Sequence, residues 1–375
     1  MTVSDRWSTP AFEAALTEVA RRAGEFARLR HVPRDVVGKF KLAGFYRATT
    51  PRRFGGDARP PAEFLRAVER MSEVDGSAGW VASFGASGVY PAALPPETQA
   101  RLYADGPDVV FAGALFPVQP AEEVPGGFRV CGQWRLASGS LAADYVGVGI
   151  GDGSSGRPRT AVLPASQAEV VDTWDAVGLR GTGSHDLRVD GVDVAAEWTF
   201  VRGGGATVDE PLYRYPALAY AAQVLAVVNL GIARAALNHV TGFGAGRTGL
   251  TGGPKLADRA YARIALGKAE AELRSVRAFF YEATEEVYET ALSGTPGPEQ
   301  VSLLRLAAAH AARVGFAVVQ AAFSLGGTAA IDSDHPLQRY LRDAAVVPQH
   351  AFLTEGVYDG AGAVFFGADP FPGYL

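Results

Sequence analysis

The sequence predicts an α+β protein in three successive parts, and two changes of hydrophobic period carry that prediction. Apolar residues recur at helical spacing from Pro10 to about Asp105, alternate with a period of two between Val109 and Phe200, and return to helical spacing after the Gly203-Gly204-Gly205 linker. The expected parts are an N-terminal helical domain (1–106), a central β-barrel-like layer (107–205) and a C-terminal four-helix bundle (206–375).

Each element has its own signal. Phe12, Leu16, Val19, Ala23, Phe26 and Leu29 step by three and four and share one face of a first helix. Val36, Val37 and Phe40 begin a second, and Phe64, Leu65, Val68 and Met71 mark a third. Gly76-Ser77-Ala78-Gly79-Trp80 opens a fourth, whose small residues up to Pro91 serve either close helix packing or space for a ligand. In the central part, Phe128 to Gly132, Tyr145 to Ile150, Thr160 to Leu163 and Leu187 to Val194 are short runs between Gly, Pro, Asp and Ser turns, the pattern of strands. Long helices are then expected from about Tyr213 to Gly242, Leu256 to Leu292, Pro298 to Leu325, and His335 onward. Short links between long helices pack them antiparallel as a bundle.

Composition narrows the function. The 375 residues are 48% hydrophobic and 20% charged, which is a globular balance with a full core. A net charge of −5 without any Lys/Arg block gives nothing to attract nucleic acid. Cys131 is the one cysteine, and the six histidines show no metal-ligand spacing, so neither a disulfide framework nor a metal site is expected. The polar N-terminus lacks a signal core, and the apolar run from Ala217 to Val228 is shorter than the roughly 20 residues a bilayer span needs. The expectation is a cytoplasmic protein away from membranes. Lysine is confined to Lys39, Lys41, Lys255 and Lys268, and this arginine bias points to a GC-rich, actinobacterial type of genome.

The chemistry concentrates near the end of the chain. Gly326-Gly327 lets backbone approach a ligand, and on the helical pattern that follows, Arg339, Arg342, Val346 and His350 share a face with two fixed cations and one titratable ring. Pro348 lacks an amide proton and should kink the helix just before His350. A salt-bridged surface helix with a stray histidine is the plain alternative. No Gly-x-Gly-x-x-Gly follows a strand and no Walker sequence is present, so the chain should not take electrons from NAD(P)H by itself.

Five motifs in order resemble the acyl-CoA dehydrogenase fold, and within it the flavin-dependent monooxygenases of two-component systems. They are Arg53-Phe54-Gly55-Gly56, Asp75 to Trp80, Gly132-Gln133-Trp134 with Ser138-Gly139, Gly178 to Ser184, and the segment Arg339 to His350. The group includes 4-hydroxyphenylacetate and steroid-ring hydroxylases, dibenzothiophene monooxygenase and aminosugar N-oxygenases. The resemblance implies reduced FMN or FAD delivered by a separate NAD(P)H-flavin reductase, reaction with O2 to a C4a-hydroperoxide, transfer of one oxygen atom to a small molecule of secondary-metabolite or aromatic type, and a homotetramer formed through the bundle.

The resemblance also assigns residues. Ser138 would meet flavin N5, Trp134 would wall the ring, and Gly139, Thr182 and Ser184 would line the cofactor; ordinary strand-end turns would use the same residues. Arg247 resembles the arginine that a neighbouring subunit offers to the flavin phosphate, and Gly326 and Gly327 would let the cofactor approach across the interface. His350 matches the histidine of the monooxygenases as general acid or base. Dehydrogenases of the fold place a carboxylate base one residue later, where this chain has Ala351, and Glu355 follows a turn beyond, which leaves a desaturase with a relocated base, or a silent flavin-binding homologue, as alternatives. Phenol hydroxylases of the group have a histidine where Ser87 or Gly88 stands, and a serine near Ala112 or Gly113. Without those donors the substrate wall, from Phe84, Ser87, Tyr90, Phe111, Gly113, Leu115 and Phe116, favours a polycyclic or indolic compound or a sugar amine over a simple phenol.

Overall fold

A computed structural model describes Trp7 and residues 9–151, 158–201, 203–244, 246 and 254–375. The N-terminal part holds α1 (Pro10–Leu29), α2 (Arg34–Ala43), α3 (Pro61–Val74), α4 (Gly76–Ser83) and α5 (Pro96–Leu102). Thr9 caps α1 by accepting the Phe12 N–H at 3.2 Å, and Asp75 caps α4 by accepting the Ala78 N–H at 2.9 Å. The small residues of α4 serve packing. A Cβ at Gly79 would fall 1.9 Å from the Ser72 hydroxyl, and one at Gly85, just beyond the helix, 2.1 Å from the Phe45 carbonyl.

The central part is two four-stranded sheets. One runs in the order β1 (Phe111–Pro120), β4 (Tyr145–Gly151), β5 (Pro158–Pro164), β8 (Thr199–Val201); the other runs β2 (Glu122–Val124), β3 (Gly127–Trp134), β7 (Asp186–Ala195), β6 (Glu169–Val171). Only the β1–β4 pairing is parallel among the described strands. The four runs read from alternation are β3, β4, β5 and β7. The strands β2, β6 and β8 have three residues each, too few to display a period.

The C-terminal part has α6 (Pro211–Arg214), α7 (Ala217–Gly244), α8 (Ala260–Ser293), α9 (Pro298–Gly326), α10 (Pro336–Val346) and α11 (Gly356–Phe365). The first long helix starts at Ala217 rather than Tyr213 because Pro216 forces Tyr215 into extended backbone, with ψ 138°. α10 stops at Val346, Pro348 sits in a 3₁₀ turn (Val347–Gln349), and His350 leaves in extended conformation. Arg339, Arg342 and Val346 therefore ride the helix while His350 is turned off it, as the kink at Pro348 requires. α7 lies at the centre, packed by α9, α3 and α10. The Asn229 amide donates to the Ala312 carbonyl at 2.7 Å and the Ala344 carbonyl at 3.1 Å, tying three helices of the interior together. One hydrophobic cluster runs through all three parts, from Phe12 and Phe64 through Trp134 and Val148 to Val227 and Leu304, so they fold around a shared core.

By length and composition, α7 and the stretch 298–331 would each be able to cross a membrane. In the protein, 83% of the most apolar window of α7 is buried, as expected of a core helix, but only 28% of the corresponding window in 298–331. The uncovered apolar side of that second helix bears on assembly below.

Candidate active site

One wall is the turn after β3. Leu136 and Gly139 take left-handed backbone, φ 62° and 73°, and two backbone bonds stitch the turn to the facing loop: Ala137 N–H to the His185 carbonyl at 2.8 Å and Gly139 N–H to the Thr182 carbonyl at 2.9 Å. Ser138 is thereby brought to Ser184, with 2.6 Å between hydroxyls, and Ser184 to Thr182 at 2.7 Å. The Thr182 hydroxyl in turn donates to the Leu179 carbonyl at 2.8 Å. All three hydroxyl residues are buried.

The loop that carries Thr182 and Ser184 is held from two sides. Gly181 fits because a Cβ there would fall 2.8 Å from Phe26 and 2.9 Å from Ser77, and its N–H donates to the Ser77 hydroxyl at 3.1 Å. Gly178 lies against α10, where a Cβ would meet the Arg342 carbonyl at 2.0 Å. Leu179 has φ 49°, an uncommon conformation for leucine, and its N–H donates to Asp343 Oδ1 at 2.6 Å. Burial, reinforced by the neighbouring Asp75 carboxylate, pushes Asp343 up to about 7. Asp75 is also raised by burial, against the pull of Arg339 at 3.5 Å. His185 is buried as well. Its Nδ1 accepts the N–H groups of Thr173 and Trp174 at 3.2 and 3.1 Å, and burial lowers its affinity for a proton, so it is a neutral structural pin.

The other wall is α4 and the turn that follows α10. His350 packs against Trp80, ring centroids 6.1 Å apart, and against Phe352 at 4.9 Å. Its Nδ1 accepts the Phe352 N–H at 3.2 Å, so the neutral ring carries its proton on Nε2 and acts there as a donor. Trp80 is 7% exposed, and its Nε1–H has no hydrogen-bond partner among the described residues. Phe84 lies one turn after Trp80, with a ring carbon 3.8 Å from where a Cβ of Gly139 would stand. His350 thus meets Trp80 on α4, and Phe84, just beyond the same helix, meets the Ser138–Gly139 turn.

Several predicted residues lie elsewhere. Trp134 is fully buried and donates to the Gly149 carbonyl at 2.7 Å, so it fills the β layer instead of offering a face to a cofactor. Phe111 belongs to a separate cluster with Leu94, Tyr103 and Phe200, against which Tyr90 packs. Gly113 lacks a side chain because Gly147 of the adjacent strand approaches it, with a Cβ falling 2.0 Å from that carbonyl; a serine would not fit. Phe116 is on the surface at 60% exposure, whereas Ser87 is buried in the 3₁₀ segment after α4. Gly326 and Gly327 make the α9–α10 turn: a Cβ on the first would fall 2.6 Å from Ala330, and the second has φ 59°. Arg247 lies outside the described residues. Glu355 has an 83% exposed side chain and reaches Arg313 at 3.7 Å, away from His350's aromatic neighbours, a placement unlike that of a buried dehydrogenase base.

Sequence reasoning passed over Trp80, Asp75, Asp343 and His185 as parts of the site. Trp80 and Asp75 stood inside a recognised motif, but only tertiary packing shows an indole donor without a partner. An open hollow of about 620 Å³ lies between α3 and α8, lined by none of these residues, and its arginines Arg66 and Arg277 are already paired with Glu285 and Glu69. The polar groups that fit a reduced flavin lie instead on the Ser138 turn, with its buried string of hydroxyls, and beside α4, with the Trp80 indole N–H and the His350 imidazole.

Comparison with known proteins agrees with this chemistry. Residues 223–355 match the family described as acyl-CoA dehydrogenase, C-terminal domain. The chain is 55% identical to an indole-3-acetate monooxygenase of Pseudomonas putida, over 98% of this chain and 96% of that one. It is 44% identical to an indole-3-acetate monooxygenase of Acinetobacter baumannii, over 97% and 95% of the two chains. The crystal structure of the HsaA monooxygenase from M. tuberculosis superposes with a TM-score of 0.91 at 25% identity and covers all of both chains. The chain belongs to the flavin-dependent monooxygenases built on the acyl-CoA dehydrogenase fold.

Proposed function

We propose that this enzyme is the oxygenase component of a two-component system, that it receives FMNH2 or FADH2 from a separate NAD(P)H-flavin reductase, and that its substrate is an aromatic acid of the indole-3-acetate type. The observation that carries the substrate class is the 55% identity, over nearly the whole chain, to the enzyme named for indole-3-acetate. The aromatic surroundings of His350 support it. Trp80 and Phe352 offer ring faces and edges beside His350, which suit a bicyclic aromatic, and the position corresponding to a phenol-binding serine is closed at Gly113.

When bound, the reduced flavin supplies two electrons, so that substrate C–H, dioxygen and dihydroflavin yield C–OH, oxidised flavin and water. The chain's own residues orient and protonate. Ser138 holds one edge of the cofactor from the end of its hydroxyl chain, His350 donates from Nε2, and Trp80 offers its unmet N–H to an acceptor of cofactor or substrate. The buried walls keep water from the reacting atoms.

Assembly through the bundle as a homotetramer in the cytoplasm completes the reading. The largely uncovered apolar stretch 298–331 supports it, as do the exposed Ile331, Phe365 and Phe366. The test is oxygenation of indole-3-acetate under air with reductase-supplied FMNH2 or FADH2, followed by mass spectrometry. A product one oxygen heavier supports the reading, and its absence together with turnover of a simple phenol would overturn the substrate class.

A further inference from the structure

We propose that Thr182 and Ser184 bias the site toward reduced over oxidised flavin by fixing the direction in which Ser138 points its proton. The inference rests on the flavin reading above and follows from counting protons along the chain. The Leu179 carbonyl has no proton to give, so at 2.8 Å the Thr182 hydroxyl donates to it. With its single proton committed, Thr182 can only accept from Ser184 at 2.7 Å, and Ser184 can then only accept from Ser138 at 2.6 Å. Ser138 is left with lone pairs and no proton for a ligand. It is an acceptor.

The polarity has a firm anchor. Leu179 is held through its N–H by Asp343 Oδ1 at 2.6 Å, and its carbonyl also receives the Thr182 N–H at 3.1 Å. Ser138, Thr182 and Ser184 are 7%, 2% and 5% exposed, so bulk water does not compete to reset the string. Reduced flavin carries a proton on N5, whereas oxidised flavin has only a lone pair there. An acceptor at Ser138 matches the first and opposes the second, unless the string reverses and Thr182 gives up the Leu179 carbonyl. That reversal loses about one neutral hydrogen bond, which corresponds to a preference on the order of two- to tenfold. Such a bias would favour uptake of the reduced cofactor and release of the oxidised product at every turnover. Thr182 and Ser184 are thus positioning residues that act through Ser138.

The test compares dissociation constants of FMNH2, measured without oxygen, and of FMN for the full chain and three variants, with the FADH2 and FAD pair run alongside. Thr182→Val keeps the branched shape but removes the hydroxyl, and Ser184→Ala cuts the string at its middle. Each should lose about two- to tenfold of the reduced-over-oxidised preference, mainly by tighter binding of the oxidised form, while Thr182→Ser restores it. A preference unchanged in both Thr182→Val and Ser184→Ala, with both flavin forms still bound, would overturn the proposal. If the unaltered protein bound neither flavin in either state, the flavin reading itself would fall, a result distinct from an unchanged ratio. Should Thr182→Val not fold, Ser184→Ala carries the same comparison.

Discussion

Replacing Asp343 by asparagine tests whether a buried carboxyl holds the active-site loop. The Asp343 carboxyl accepts the Leu179 N–H at 2.6 Å, and burial, with Asp75 beside it, pushes its value from 3.8 up to about 7. Because the folded protein keeps the proton where the unfolded chain has lost it, this group stabilises fully below the unfolded value of 3.8, and that contribution fades as pH rises toward 7. Integrating those two values between pH 5.5 and 8 gives about 2 kcal/mol of stability lost over the interval. Asparagine keeps an oxygen for the Leu179 N–H and cannot ionise. Thermal or urea unfolding of both proteins across this range should therefore show the variant gaining on the parent by about 2 kcal/mol at pH 8 relative to pH 5.5. Parallel stability curves, or a gain in the opposite direction, would refute the argument that Asp343 folds in protonated form.

His350→Ala should lower oxygenation by about 10²- to 10⁴-fold in stopped-flow or product assays while flavin binding stays nearly intact, because it removes an acid–base group and not the cofactor's main contacts. Glu355→Gln should leave the rate almost unchanged, since that carboxylate is 83% exposed, and the reverse pattern would reinstate a dehydrogenase-type base. Trp80→Phe removes a buried N–H that has no partner, so the ligand-free protein should unfold no more easily than the parent while binding of flavin or substrate, read by titration, weakens by about 1 to 3 kcal/mol. Gly178→Ala should destabilise by about 1 to 3 kcal/mol or more, because its Cβ would fall 2.0 Å from the Arg342 carbonyl. Gly38→Ala, in α2 with no atom beyond its own helical turn within 4 Å of the new methyl among the described residues, should stabilise by up to about 1 kcal/mol in the same unfolding experiment.

The amino-acid order by itself determined the three-part architecture, because period and punctuation are local. Stepping by three and four requires α1 and α3 to bury one side, alternation does the same for β3, β4, β5 and β7, and Pro216 and Pro348 end or delay helices wherever they stand. It also brought His350, Ser138, Thr182 and Ser184 forward, since the motifs that contain them are contiguous. What the order left open is which motif faces which. Trp134, Phe111 and Gly113 sit in site-like motifs, yet burial, a second cluster and a crowded strand neighbour give them to the core. Trp80 and Asp343 enter the site although they lie 263 positions apart (343 − 80). Only the closed structure makes one a donor without a partner and the other a carboxyl that keeps its proton, because desolvation and orphaned polarity are properties of surroundings that chain-distant residues assemble.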